Sequence, residues 1–244
     1  ENGKVYLFAD EFTDYNESDI GIKTILLLEK LGYEVVIPRH RERGRTFLSQ
    51  GMLKAARRVA DRNIQLLKKI ISEDAPLIGI EPSAILTFRD EYPEIVEKDL
   101  EDDAMKLGDK AMLLEEFICR EFDNGRITSE QFTSDNKKIK VHGHCQQKAI
   151  SSTDYTLKML SIPVNYKAEE IPSGCCGMAG AYGYEKEHYE MSMKIGELIL
   201  FPTVRKASDD TIIAAPGTSC RHHIEEGTGK KAFHPAEILY EAII

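Results

Sequence analysis

The adjacent cysteines Cys175 and Cys176 lie in the stretch IPSGCCGMAGAYG, residues 171 to 183, among four glycines. Neighbouring thiols suit a disulfide poorly, because a bridge between adjacent residues closes a strained ring. Three more cysteines stand in the chain, Cys119, Cys145 and Cys220. Cys119 falls in AMLLEEFICREF, where apolar residues recur at three and four, and reads as the core filling of a helix. The odd count, with no export signal ahead of it, points to free thiols or metal ligands rather than a disulfide framework. Cys145, Cys175, Cys176 and Cys220 therefore carry whatever chemistry the thiols do.

Three chemistries use such a set. A mononuclear zinc site is typically built from C-x2-4-C knuckles, which this sequence lacks. A thiol–disulfide enzyme usually carries C-x-x-C, and a vicinal pair does not supply it. An iron–sulfur cluster takes thiolates from separated loops, and its several irons can be met by neighbouring cysteines whose side chains diverge. The cluster fits the spacing best. Structural zinc remains an alternative, as does plain packing, since cysteine is among the most buried residue types.

The elements that must position these thiols are legible in outline. Strand KVYLFA, helix DIGIKTILLLEKLG and strand YEVVIP lead into a basic loop, RHRERGRTF. A long helix, SQGMLKAARRVADRNIQLLKKII, and a strand, PLIGI, follow. Asp or Ser at helix starts and Gly32 after the first helix are start and stop signals. From about residue 138 the order returns. Strand KIKVHGH, the loop and helix CQQKAISSTDYTLKMLS and strand IPVNYKA precede the glycine loop EEIPSGCCGMAGAYG. A long helix, YEKEHYEMSMKIGELILFPTVRK, strand DTIIAAP and loop GTS complete the repeat. The loops keep step: Glu11 to Cys145 is 134 residues, Gly44 to Gly177 is 133, and Ser83 to Ser219 is 136. The expected fold is α/β in two pseudo-repeated halves, each a parallel-sheet unit with helices on both faces. The halves are placed at residues 1–90 and 138–244, with an acidic, helical connector at 91–137.

Each half then presents three loops at the carboxyl ends of its strands, where open α/β sheets bind ligands. The four cysteines fall on those of the second half. In the first half the matching positions are Glu11, Glu42 with Arg43, and Ala84. Glu11, Arg43 and Ala84 are expected to converge on one cleft, with Glu11 and Arg43 pairing to fill it. The helix after Gly183 is expected to aim its positive end at the thiolates, and Gly177 to bring backbone N–H groups to sulfur.

Composition bounds the rest. Apolar residues make up 42% and charged residues 30%, as in ordinary globular proteins. A net charge of −9 argues against nucleic-acid binding. No apolar run reaches the roughly 18 residues of a membrane span. The chain starts at Glu1 rather than Met and is expected to be a piece of something longer, cytoplasmic, or peripheral at the inner membrane face through a partner. PGTSC lacks the lysine and second glycine of a phosphate loop, and no G-x-G-x-x-G follows a strand, so flavin or nicotinamide binding by this chain alone is not expected.

The blocks HGHCQQKA, SGCCGMAGAYGYEKEHYEMSMKIGE and APGTSCRHHIEEGTG resemble the cysteine-rich CCG domain. That domain occurs in heterodisulfide reductase, in the iron–sulfur components of glycolate oxidase and anaerobic glycerol-3-phosphate dehydrogenase, and in lactate-utilisation proteins. The chain is also similar to the C-terminal part of large FAD and iron–sulfur oxidoreductases that oxidise D-lactate or D-2-hydroxyglutarate. The resemblance implies a 4Fe-4S-type cluster on Cys145, Cys175, Cys176 and Cys220, lost in air from an isolated fragment. It also implies FAD on a preceding domain, and flavin and ferredoxin-like domains as partners. The family's pattern ends in Cys-x-x-Cys, whose final position here is His223. That replacement puts a five-thiol cluster in question and makes His223 a candidate metal ligand.

His142, His144, His222 and His223 flank the cysteine loops. A neutral imidazole there serves as ligand, as donor to sulfur or as proton relay, with an ordinary loop histidine as the alternative. Gly177, His144 and His222 are placed behind the ligands. Arg43 and Arg45, in the basic loop with Arg39 and Arg41, offer guanidinium groups for a substrate carboxylate, or for an acidic partner domain.

Overall fold

In the first unit, which ends at Arg126, four apolar runs become parallel strands. These are β1 (Gly3–Leu7), β2 (Tyr33–Val36), β3 (Leu77–Gly79) and β4 (Ala111–Leu113), in the order β2-β1-β3-β4. β3 is buried at every residue, as a central strand covered on both faces must be. Around the sheet pack α1 (Glu11–Tyr15), α2 (Ser18–Lys30), α3 (Arg45–Ser49), α4 (Leu53–Leu67), α5 (Pro82–Ile85), α6 (Glu91–Ile95), α7 (Glu101–Gly108) and α8 (Leu114–Asp123). The computed structural model describes residues 2–244.

The second unit, Ile127–Ile244, repeats the plan. Its strands are β5 (Lys137–Val141), β6 (Tyr166–Glu170), β7 (Thr211–Ala214) and β8 (Ala232–Phe233), ordered β6-β5-β7-β8 and all parallel. Its helices are α9 (Cys145–Ile150), α10 (Asp154–Leu160), α11 (Tyr189–Leu198), α12 (Leu200–Lys206), α13 (Thr218–Thr228) and α14 (Pro235–Ala242). The expected α/β fold in two halves with parallel sheets is what the chain adopts. In each sheet the connections from the two central strands leave in opposite directions, which opens a crevice at their carboxyl ends.

Three details differ from the sequence reading. Both fourth strands went unread, since two or three apolar residues are too few to show a period and β4 runs directly into α8. The stretch 91–137 is consequently divided: residues up to Arg126 complete the first unit with α6, α7, β4 and α8, and β5 begins at Lys137. The first long helix starts late, at Leu53, with Gly51 at φ 69° setting it apart from a short α3 in the expected basic loop, and the second is broken. Ile199, at φ −142°, separates α11 from α12, where Pro202 has no N–H to continue the ladder and is tolerated only in a first turn.

The break in the second unit serves its core. Phe201 is fully buried in a cluster with Ile171, Leu200, Val204, Ile224 and the two cysteines Cys176 and Cys220. It fits because Gly196 and Gly227 carry no Cβ, which at either position would run into its ring. Phe201→Ala is expected to lower unfolding stability by about 3–5 kcal/mol through the lost burial and the cavity left. Gly227→Ala should lower it by about 1–3 kcal/mol through overpacking. Urea denaturation followed by circular dichroism measures both.

Candidate metal centre

The chain leaves β5 at Val141 and enters α9 at Cys145, leaves β6 at Glu170 and reaches Cys175 and Cys176, and leaves β7 at Ala214 and reaches Cys220 in the first turn of α13. Each approach is held locally. His144 caps α9, its Nδ1 accepting from the Gln146 N–H at 3.2 Å. Gly177, at φ 114°, turns its own N–H onto Cys175 Sγ at 3.3 Å. Gly217 leaves room for the His144 ring and for Cys220, whose sulfur would sit 3.3 Å from a Cβ placed there.

The sulfurs form a line of contacts: Cys145 meets Cys175, Cys175 meets Cys176, and Cys176 meets Cys220. Their titrations alternate along it. Cys175 is held well below the usual thiol range, first by the Cys145 S–H, then by the Cys176 S–H, with the Gly177 and Ala179 N–H groups adding. Cys220 is held low by the Cys176 S–H and then by the His142 and His144 imidazoles, against the cost of its burial. Cys145 and Cys176 are raised, each chiefly by its bond to Cys175. The expected source of this depression was the helix after Gly183. That helix starts only at Tyr189, and S–H and local N–H donors take its place.

One ring nitrogen of His142 and the sulfurs of Cys176 and Cys220 lie within 4.8 Å of one another, all three residues buried. His142 was legible only as one of four histidines flanking the loops. Its place, one residue past the end of β5 at the crevice, is the signal that singles it out. His223 faces another way: its Nε2 is 3.3 Å from Ser192 Oγ and 3.2 Å from the Ser192 carbonyl oxygen, with its ring against Phe201. His222 is exposed, its Nδ1 2.9 Å from the Tyr184 hydroxyl. Cys145 is exposed, Cys175 half-buried, and Cys176 and Cys220 buried.

The matching place in the first unit holds charge instead of sulfur. Glu11 opens α1 as Cys145 opens α9, and Asp10 caps it, accepting from the Phe12 N–H at 2.9 Å and the Thr13 hydroxyl at 2.7 Å. Arg43 is buried with Nε 3.2 Å from Glu11 Oε1, donates through Nη1 to Ser83 Oγ at 3.0 Å, and lies over the Phe12 ring. The Arg43 side chain is therefore engaged inside the unit, and Arg45 pairs with Glu91. Burial first, then the neighbouring Glu81, pushes the Asp10 carboxyl up to about 6.

No protein-family model matches the chain. It is 29% identical to a D-2-hydroxyglutarate dehydrogenase of Pantoea ananatis, over 98% of this chain and 22% of that protein. It is 27% identical to a component of the anaerobic glycerol-3-phosphate dehydrogenase of Escherichia coli, over 98% of this chain and 59% of that component. Lactate utilization protein A of Bacillus subtilis is 25% identical over 97% of this chain and 98% of that protein. The chain thus spans about a fifth of the D-2-hydroxyglutarate dehydrogenases it matches and nearly all of the lactate utilization protein.

Two tests follow from the geometry. Asp10 is more readily protonated folded than unfolded, so it stabilises fully below its ordinary value of 3.8, and that stabilisation is lost as pH rises through about 6. Asp10→Asn should raise stability at pH 7.5 by up to about 3 kcal/mol and lose that margin at pH 4, read from urea midpoints at the two pH values. Gly177→Ala should cost roughly 1–3 kcal/mol, because its φ disfavours a side chain and the methyl runs into the Ser192 carbonyl. Gly180→Ala, at φ 72° with open space around it, should cost less.

Proposed function

We propose that this chain is the iron–sulfur electron-transfer part of a flavin-dependent 2-hydroxy-acid dehydrogenase, with Cys145, Cys175, Cys176 and Cys220 holding a cluster of the 4Fe-4S type. The observation that carries the reading is the line of four sulfurs assembled from three strand ends. The donor set suits the group: soft thiolates, a backbone N–H directed at sulfur, and a glycine at each crowded point. When bound, such a cluster supplies one-electron transfer. Cys145 forms the exposed rim of the centre, the side open to a redox partner, while Cys176 and Cys220 anchor it in the core.

Nothing in the chain reads as a flavin site, so FAD belongs on another part of the protein. That fits relatives of which this chain matches only 22%. Flavin and ferredoxin-like domains are the proposed partners, and a 2-hydroxy acid, as the name of the D-2-hydroxyglutarate dehydrogenase states for that protein, is the proposed substrate of the whole. No helix among the described residues is long and apolar enough to cross a membrane. The grouping of His142 with Cys176 and Cys220 favours a second reading, structural zinc, since tetrahedral zinc sites commonly mix histidine and cysteine.

Anaerobic purification with iron, sulfide and zinc analysis separates the two. Iron with stoichiometric sulfide and broad thiolate-to-iron absorption is the expected result, and one colourless zinc per chain would overturn it. Cys176→Ser should abolish cluster content with the circular dichroism spectrum unchanged. Glu11→Gln, in the charge-filled first unit, should leave iron and sulfide at the parent's level.

A further inference from the structure

His142 is a buried polar side chain that the four-cysteine reading leaves without a task. It has no exposed surface. Its Nδ1 lies 2.8 Å from Ser173 Oγ, and the same hydroxyl donates to the Ile171 carbonyl at 3.4 Å. The bond to Ser173 anchors the ring; in the tautomer with its proton on Nδ1, the ring turns the Nε2 lone pair to its other side. Nε2 is buried and meets no nitrogen or oxygen partner among the described residues, its side of the ring facing Cys220 instead. The atoms next to this ring are the sulfurs of Cys176 and Cys220, within 4.8 Å.

We propose that His142 Nε2 is a direct metal ligand of this centre, which then has a mixed donor set of four thiolates and one imidazole, with Ser173 as the residue that orients the ring. The proposal deepens the iron–sulfur reading but rests on the thiolate site itself rather than on the kind of metal. It gives the nitrogen role to His142 and withholds it from His223, whose Nε2 is taken up with Ser192 and whose ring, though its Nδ1 is also buried without a partner, does not group with the sulfurs as His142 does. The arrangement of an imidazole ligand with its far N–H fixed by an outer partner is the usual one at metal sites. Its consequence is electrostatic. A neutral nitrogen adds a fifth donor without a fifth negative charge, so a redox metal here takes up an electron more easily than it would with another thiolate, as histidine ligands raise the potentials of Rieske centres.

Two measurements on the full chain test it. In the first, the metal-free protein is titrated anaerobically with Co(II). The proton spectrum should show one strongly shifted, exchangeable imidazole N–H in the parent and in His223→Ala, and none in His142→Ala. Co(II) affinity should fall more than about 100-fold in His142→Ala, since removing merely an outer partner of a ligand can cost that much. His142→Cys, which keeps a donor in place, should retain metal and lose the shifted N–H, so a loss caused by misfolding is told apart. In the second, the protein reconstituted with ferrous iron and sulfide is reduced and examined by pulsed electron paramagnetic resonance. Strong coupling to a directly bound nitrogen is expected in the parent and in His223→Ala, absent from His142→Cys, whose reduction potential should lie lower.

A cluster without nitrogen coupling overturns the His142 assignment and leaves the iron–sulfur reading standing. A chain that forms no cluster yet binds Co(II) with the imidazole signal overturns the iron–sulfur reading and upholds His142. A parent that binds neither metal overturns both.

Discussion

Sulfurs in contact repel one another once ionised, and the second unit is built around that fact. At a separation of about 4 Å and an effective dielectric near 20, two thiolates oppose each other by roughly 4 kcal/mol. No neighbouring pair along the line from Cys145 to Cys220 can hold two charges without help. The titration pattern is the outcome: Cys175 and Cys220 take the charge, and their neighbours Cys145 and Cys176 keep their protons and donate them. A metal removes the conflict by replacing those protons with positive charge, which is why such a set favours metal so strongly. Holding the sulfurs close in the meantime takes a stiff frame. Cys176 and Cys220 share the core cluster of Phe201, and glycines stand where a Cβ would press the frame apart.

The first unit has an equivalent crevice of its own and fills it with different chemistry. Strand order and direction match, yet the helix that begins with Cys145 in one unit begins with Glu11 in the other. Carboxylate and guanidinium neutralise each other, so Glu11, Arg43 and Ser83 close the space without any ion. Hard oxygen and a cation cannot stand in for thiolate toward a soft metal. The caps show the same divergence. His144 and Asp10 both accept an N–H from the residue two places on, but only the imidazole helps hold Cys220 down. The scaffold fixes where the loops meet, and side-chain chemistry decides what they do there.

The convergence of the cysteines was readable because strand–loop–helix order repeats and the loops keep step along the chain. The Glu11–Arg43 pair was readable for the same reason. What escaped was whatever lacked a periodic signal: β4 and β8, with three and two residues, and the break at Ile199. His142 escaped for a different reason. Four histidines flank the loops, and spacing does not say which way a ring turns. That depends on one hydrogen bond to Ser173 from a neighbouring strand end, a contact between residues far apart in sequence. His223 looked the stronger candidate because it stands in the last cysteine's place, yet at that point of α13 the side chain falls against Phe201 and Ser192.

The line of donors is also graded by depth, and depth divides its labour. Burial makes it costlier for a thiol to ionise, so the inner sulfurs depend on their neighbours far more than Cys145 does at the surface. Cys220, buried, is held toward its charged form first by the Cys176 thiol, with the His142 and His144 imidazoles beside it. The charge of the inner end is therefore set by residues of the fold itself, out of reach of solvent ions. The outer end remains open, where an approaching protein surface can replace water around Cys145. In the proposed centre, the buried sulfurs would set its electronic character from within, and Cys145 would leave a single exposed edge for a partner.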